Sequence, residues 1–259
     1  MPRKPKEIPE EEIQVSQPEK KTTFVTEWFK AHAVNNKAEL KIVCDLTARS
    51  AMEQFSMYLP TGNTEVYAVV FYATFMEILK FIKGKQGTYK NFTLEICNSL
   101  NIGYTINDNE NFETGNFTPI MEYIGINRNI IDDTNNVSVN KTSENFIRWK
   151  ELNIKKNVEY YKEIQERAYN TLKTEYKVNL RTSEAVIPLF CIFMDNICNV
   201  IKTRWKECEN TNVSEVSMNV FGLFDIFYSF DEEDNVEIID FDIKLGSKLG
   251  IKDDNRANI

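Results

Sequence analysis

A chain of 259 residues that is 42% apolar and 12% aromatic has enough material for one sizeable core, and its 27% charged residues favour solubility over disorder. A formal net charge of −8 excludes a protein coated in positive charge, although residues 223–259 hold four basic and ten acidic side chains and so carry −6 of it. Residues 1–21 balance five basic against five acidic groups, leaving the body nearly neutral and a local basic groove allowed.

The first 21 residues carry Pro2, Pro5, Pro9 and Pro18 among alternating charges and few large apolar groups, which predicts a disordered N-terminal arm. MPRKPKEIPEEE has no apolar stretch of the signal-peptide kind, so the expected location is the cytoplasm, or a host cytoplasm or virion for a viral protein. From Phe24 the pattern turns helical, with Phe24, Val25, Trp28 and Phe29 grouped in a segment ending near Asn35. Asn36 with Glu39 resembles a capping box and opens a second helix to about Leu59, stopped by Pro60. Asn63 or Thr64 opens a third, whose apolar residues from Val66 to Ile82 leave almost no polar face and predict a central buried helix. Glu77 and Lys80 fall inside it, and it is shorter than the roughly 20 apolar residues of a membrane span.

Phe92, Leu94, Ile96, Cys97 and Leu100 predict a further helix running to Gly103, followed by a loop over 104–117. Thr118-Pro119 reads as the start of a short helix ending near Gly125, and a polar loop then runs to Lys141. Thr142 or Ser143 begins the longest helical pattern, reaching Tyr176, with Glu144 and Arg148, Glu151 and Lys155, and Glu163 and Arg167 at acid-first i,i+4 spacing on an exposed face. Ser183 to about Cys208 is apolar on most sides, and Pro188 either kinks this helix or marks its start. At the C-terminal end the period changes to two: Phe224, Ile226, Tyr228 and Phe230 alternate, then Ile239, Phe241, Ile243 and Leu245, predicting a β-hairpin turned at Asp231–Asn235.

These elements predict a mainly α fold of six to seven helices with a small C-terminal β-hairpin and disordered termini. The expected divisions are an arm at 1–21, a helical core at 22–222, the hairpin at 223–245 packed on the core or a partner, and a polar tail at 246–259. Five cysteines, Cys44, Cys97, Cys191, Cys198 and Cys208, form no CxxC pair and sit mostly in apolar patterns, so no disulfide scaffold is expected. Five glycosylation-type triplets, beginning at Asn91, Asn116, Asn136, Asn140 and Asn212, are accidents of an Asn-rich composition on this reading.

Chemistry-bearing constellations are sparse. His32 is the one histidine, which disfavours serine- or cysteine-based nucleophilic catalysis, and no cysteine or histidine pair has zinc-ligand spacing. Asp240 and Asp242 would share a strand face and, with Asp225, suit a two-metal site; the competing reading is a solvated face made by Val236, Ile238, Asp240, Asp242 and Lys244. Asp231 to Asp234 lacks the ligand spacing of a calcium loop. Lys80, Lys83, Lys85 and Lys90, with Tyr89 and two glycines and no acid between them, suit a phosphate backbone, although cations also end helices for ordinary dipole reasons.

The leading expectation is therefore a non-enzymatic structural or assembly protein, a viral (phage) virion or scaffold component, with no cofactor and no membrane partner. Its arm and hairpin would contact other protein subunits in a homo- or hetero-oligomer. The second expectation is a nucleic-acid-binding coat protein or nucleoprotein using the Lys80–Lys90 patch. The weakest is a metal-dependent phosphoryl-transfer enzyme.

Overall fold

The computed structural model describes residues 24–57, 62–85, 88–96, 100–106, 112–113, 118–119, 141–208, 215–230, 236–237 and 241–243. It is mainly helical, with six helices: α1 (Phe24–His32), α2 (Lys37–Phe55), α3 (Val66–Gly84), α4 (Lys141–Asn153), α5 (Val158–Thr174) and α6 (Val186–Cys208). Two four-stranded antiparallel sheets accompany them. One comprises β1 (Asn91–Ile96), β2 (Leu100–Ile106), β3 (Phe112–Glu113) and β4 (Thr118–Pro119), and the other β5 (Glu215–Val220), β6 (Phe224–Phe230), β7 (Val236–Glu237) and β8 (Phe241–Ile243).

Helix α3 sits at the centre, as its all-round apolar sequence predicts. Nothing between Val66 and Lys83 breaks a helix, and most of its side chains, from Val66 to Ile82, are buried. α6 is the second central helix. Pro188 falls in its first turn, where the missing N–H has no intrahelical acceptor to lose, so it starts the helix and does not kink it. Thr182 caps the preceding 3-10 turn (Ser183–Ala185) by accepting from Glu184 N at 3.2 Å. Ser183–Ile201 is apolar and long enough by composition to cross a membrane, yet 78% of that window is buried inside the protein, against helices α2, α3 and α5. Phe71 and Phe75 of α3 stack on Phe190 of α6, with centroids at 4.9 and 6.3 Å, and Phe71 also stacks on Phe193 at 4.7 Å. Buried polar groups in this layer are locally satisfied: Asn196 donates to the Ile192 carbonyl and to Thr47 Oγ1, tying α6 to α2.

Four expectations need correction. The helix expected to end at Gly103 is a β-hairpin, in which Phe92 pairs with Tyr104, Leu94 with Ile102 and Ile96 with Leu100. Its apolar residues alternate with Asn91, Thr93 and Glu95, a period of two that buries Leu94 and Ile96 against the helices. Thr118-Pro119 is a short strand paired with Leu100 and Asn101, not a helix start, and residues 120–125 lie outside the described part. The long pattern over 142–176 is two helices, interrupted at Ile154–Asn157, where Asn157 takes a left-handed conformation (φ 59°) that asparagine tolerates. Of its three acid-first spacings, Glu163–Arg167 is a 2.6 Å ion pair, whereas Lys155 lies beyond the end of α4, out of helical register with Glu151. Asn36 does not close a capping box on α2; its side chain reaches the C-terminal sheet instead.

The C-terminal hairpin forms, but as part of a larger sheet. β6 pairs with β7 and β8, as its alternation predicts, and also with β5, which the sequence reading missed. The register steps by one on the returning side, since Phe230 pairs with Val236 but Ile226 with Phe241. Val236 and Asp242 therefore do not continue one unbroken alternation, against the expected shared polar face. The turn at 231–235 and the segments 1–21 and 246–259 lie outside the described residues. Cys44 is a buried free thiol, while Cys191 is disulfide-bonded, a bond that the cysteine spacing does not predict.

Candidate functional site

Helix α1 and the C-terminal sheet meet at the turn between β5 and β6. β5 and β6 are joined by Phe221–Leu223, in which Phe221 and Gly222 both have positive φ (53° and 63°) and Leu223 N donates to the Val220 carbonyl at 2.8 Å. Successive positive φ values suit the right-handed twist of a hairpin. Glycine enters that region freely and phenylalanine does not, so Phe221 is held there by what its side chain meets. It is 2% exposed, with its ring 5.7 Å from Trp28, 6.1 Å from Phe29, 6.4 Å from Phe71 and 6.0 Å from Phe193. The turn is thus plugged between α1, α3 and α6.

Asn219 organises the same turn. Its Oδ1 accepts from Gly222 N at 2.9 Å, its Nδ2 donates to Asp225 at 2.5 Å, and its backbone N–H donates to Asn36 Oδ1 at 2.8 Å. Asn219→Ala should lower the unfolding free energy by about 1 to 2 kcal/mol, the usual cost of losing two side-chain hydrogen bonds, read from urea denaturation. In Asn36→Ala the Asn219 backbone N–H loses its side-chain acceptor, which should cost about 1 kcal/mol in urea denaturation. An Asn36→Ala protein as stable as the wild type would mean that the bridge contributes nothing.

α1 lies over this turn. Trp28 stacks on His32 (4.3 Å), and its edge contacts Tyr72 (5.1 Å) and Tyr176 (6.2 Å). His32 Nδ1–H donates to the Trp28 carbonyl at 2.8 Å, so the histidine is a packed member of the aromatic group. Burial raises the phenol pKa of Tyr72 and, helped by the nearby Tyr72, Glu175 and Glu77, pushes that of Tyr176 up to about 12. Exposed apolar side chains include Phe24 at the start of α1, Val34 just after its end and Ile42 on α2, which are 52%, 74% and 50% exposed. Ile42 also lines a groove of about 410 Å³ between α2 and α6 with Leu46 and Val200, edged by a Glu39–Arg204 ion pair at 2.9 Å.

The expected phosphate-binding residues cluster at the C-terminal end of α3, but they are not equivalent. Lys80 pairs with the buried Glu77 at 2.7 Å, and Glu77 also accepts from Thr171 at 3.1 Å. Lys85 lies over the rings of Phe81 (4.5 Å) and Tyr160 (4.9 Å), a contact no local spacing reveals, because Tyr160 is on α5. Lys83 and Lys90 are exposed, and Tyr89 is 47% exposed with its ring 6.0 Å from Phe92. Phe92 in turn lies 6.0 Å from Tyr160. Lys156, in the α4–α5 break, joins this corner through Glu95 at 3.4 Å, and the Tyr161 hydroxyl donates to the Glu95 carbonyl.

The metal hypothesis fares differently. Asp225 and Asp242 are register partners on β6 and β8, so the strand pairing does bring two acidic positions together, while Asp240 lies outside the described residues. Among the described residues no group of three or more His, Cys, Asp or Glu side chains is placed to hold a metal ion. Asp231 to Asp234 also lies outside them.

Sequence reasoning missed two polar clusters. Lys41 donates to Asp45 (2.7 Å) and Thr64 (2.5 Å), and Thr64 donates to Asp45 (2.5 Å), clamping α2 to the start of α3. Partial burial of the Asp45 carboxyl is outweighed by bonds from Lys41 and Thr64 and by the charges of Lys41 and Arg49, so its pKa falls below the ordinary value. Between α4 and α5 a cleft of about 420 Å³ is floored by Ile147, Ile154 and Val158, and Lys150 joins Glu184 and Gln165 at its base, where burial lowers the lysine pKa. Neither cluster has a local motif.

No protein-family model, no curated protein and no solved structure matches this chain.

Proposed function

We propose that the protein is a non-enzymatic structural component, a virion or scaffold protein of a virus, that assembles with neighbouring subunits through the segments attached at its two ends. The observation that supports this reading is that the helix following the N-terminal arm and the strand preceding the C-terminal tail both adjoin the β5–β6 turn. Phe24, the first residue of α1, contacts Tyr176 beside Trp28, and Trp28 meets Phe221 in the β5–β6 turn. The last described strand, β8, ends at Ile243, the partner of Phe224 immediately after that turn. Helix α1, which follows residues 1–23, and strand β8, which precedes residues 244–259, thus both adjoin the β5–β6 turn, and Phe24 at the start of α1 is exposed. An exposed apolar side chain beside such an attachment point suits contact with another chain. Phe224 and Ile226 of the hairpin are buried on the protein's own helices, so on this reading the intermolecular contacts fall mainly to the arm, the tail and exposed Phe24.

Deleting residues 1–21 should leave the circular dichroism spectrum and thermal midpoint unchanged while the assembled species is lost, as read by light scattering. Val34→Asp, on a side chain that is 74% exposed, should weaken assembly in the full chain without changing the midpoint. Unchanged particle or oligomer size in both variants overturns the reading.

A further inference from the structure

We infer that the corner where α3, β1 and the start of α5 meet is a binding face for single-stranded nucleic acid. The inference rests on what the fold brings together there, apart from the chain ends. From Lys80 to Leu94 the chain has four lysines and no acidic residue, in a protein whose formal charge is −8. Lys80 is paired with buried Glu77, and beyond it on the chain lies an aromatic ladder. Tyr89 leads to Phe92, Phe92 to Tyr160 and Tyr160 to Phe81, each step between 5.2 and 6.0 Å from centroid to centroid. Lys85 Nζ rests on Phe81 and Tyr160, which holds a positive charge against the ladder. Lys83, two residues beyond Phe81 on α3, and Lys90, next to Tyr89, are exposed, and Lys156 projects from the neighbouring break with 74% of its side chain exposed. Its ion pair with Glu95 is an open 3.4 Å contact of the kind that contributes little in water and is readily exchanged for phosphate.

This is the combination a single strand requires. Lysines track the backbone without reading sequence, and a half-exposed aromatic face accepts an unpaired base. A duplex keeps its bases stacked within the helix and has no use for Tyr89. Specific base readout needs bidentate donors, which lysines on this surface do not supply, so binding should be tolerant of sequence.

The test uses the full chain and a fluorescein-labelled oligodeoxythymidylate, followed by anisotropy at rising salt, with a duplex of equal length alongside. Three phosphate contacts, from Lys83, Lys90 and Lys156, give a log–log salt slope of about −2 on a single strand. The Lys83→Glu/Lys90→Glu double variant should cut the affinity at least about tenfold and reduce that slope to about a third. Tyr89→Ala should weaken the single strand by about 5- to 150-fold, the range for one lost stacking partner, and leave the slope unchanged. Lys173→Glu, thirteen residues along α5 from Tyr160 and so about 20 Å away, should change neither quantity much. The substituted side chains are exposed, so the thermal midpoint should hold in all variants. No binding at low salt, binding indifferent to both corner variants, or a duplex bound as tightly as the single strand would each overturn the inference.

Discussion

Phe221→Ala is expected to lower the unfolding free energy by about 3 to 5 kcal/mol, the cost of emptying a fully enclosed aromatic site. Phe221 meets Trp28 and Phe29 of α1, Phe71 of α3 and Phe193 of α6, so its ring is common to three helices and the turn of the C-terminal sheet. The backbone provides a second, independent reading. At φ 53° alanine keeps the left-handed strain that phenylalanine carries, whereas glycine does not. Phe221→Gly should therefore be less damaging than Phe221→Ala by about 1 kcal/mol, the reverse of the order these residues show in a helix or strand. Urea denaturation of the three proteins decides it, and a glycine variant as unstable as the alanine variant would show that the turn is not strained. Because the ring anchors the tip of the turn among the helices, both variants should also loosen β5 and β6, seen as faster amide exchange there than in α3.

The helices were legible where their period ran long enough to exclude alternatives. α3 carries apolar residues around nearly the whole circumference, which predicted its central position as well as its helicity, and α6, apolar on most sides, was legible as a helix. β1 and β2 were misread although Phe92, Leu94 and Ile96 alternate cleanly, as do Leu100, Ile102 and Tyr104. Adding Cys97 to the first set made a helical stripe, and the pair Leu94–Ile102 shows that alternation was the governing period. β5 was missed because Val216, Met218 and Val220 are separated by Glu215, Ser217 and Asn219, a weak strand signal until β6 supplies a partner. In the break between α4 and α5, Asn157 was readable as a left-handed residue, but a single asparagine does not outweigh a continuous stripe on either side of it.

The surfaces were less legible than the fold. Lys80 to Lys90 stood out as a run of like charge, yet the sequence could not say that Lys80 is consumed by Glu77 or that Lys85 lies on Tyr160 of α5. Both distinctions depend on side chains in contact across elements, and they turn a charge count into an arrangement with distinct parts. The same limit applied to Asn36, whose spacing to Glu39 resembled a cap while its oxygen was required by Asn219, 183 residues away. Polar residues near helix starts have two possible uses, and only the tertiary structure shows which acceptor is needed more.

Asp195→Asn should raise stability, and the gain should grow with pH. Asp195 lies in the middle of α6, next to Asn196, whose amide reaches Thr47 of α2. Burial raises its carboxyl pKa well above the usual value. An unfolded aspartate titrates near 3.9, so from about pH 4 up to the raised folded value the native state holds a proton that the unfolded state has lost. Stability of the wild type therefore falls as pH rises through that window, by about 1.4 kcal/mol for each unit of upward shift, and is level above it. Asparagine has nearly the same shape and no charge to desolvate, so the variant's curve lacks this decline. At pH 4 the two proteins should unfold at similar temperatures, and at pH 8 the asparagine protein should unfold at a higher one, as measured by scanning calorimetry. If the carboxylate were instead held by a cation, the signs would reverse: the wild type would gain stability above pH 4, and Asp195→Asn would be the weaker protein at pH 8.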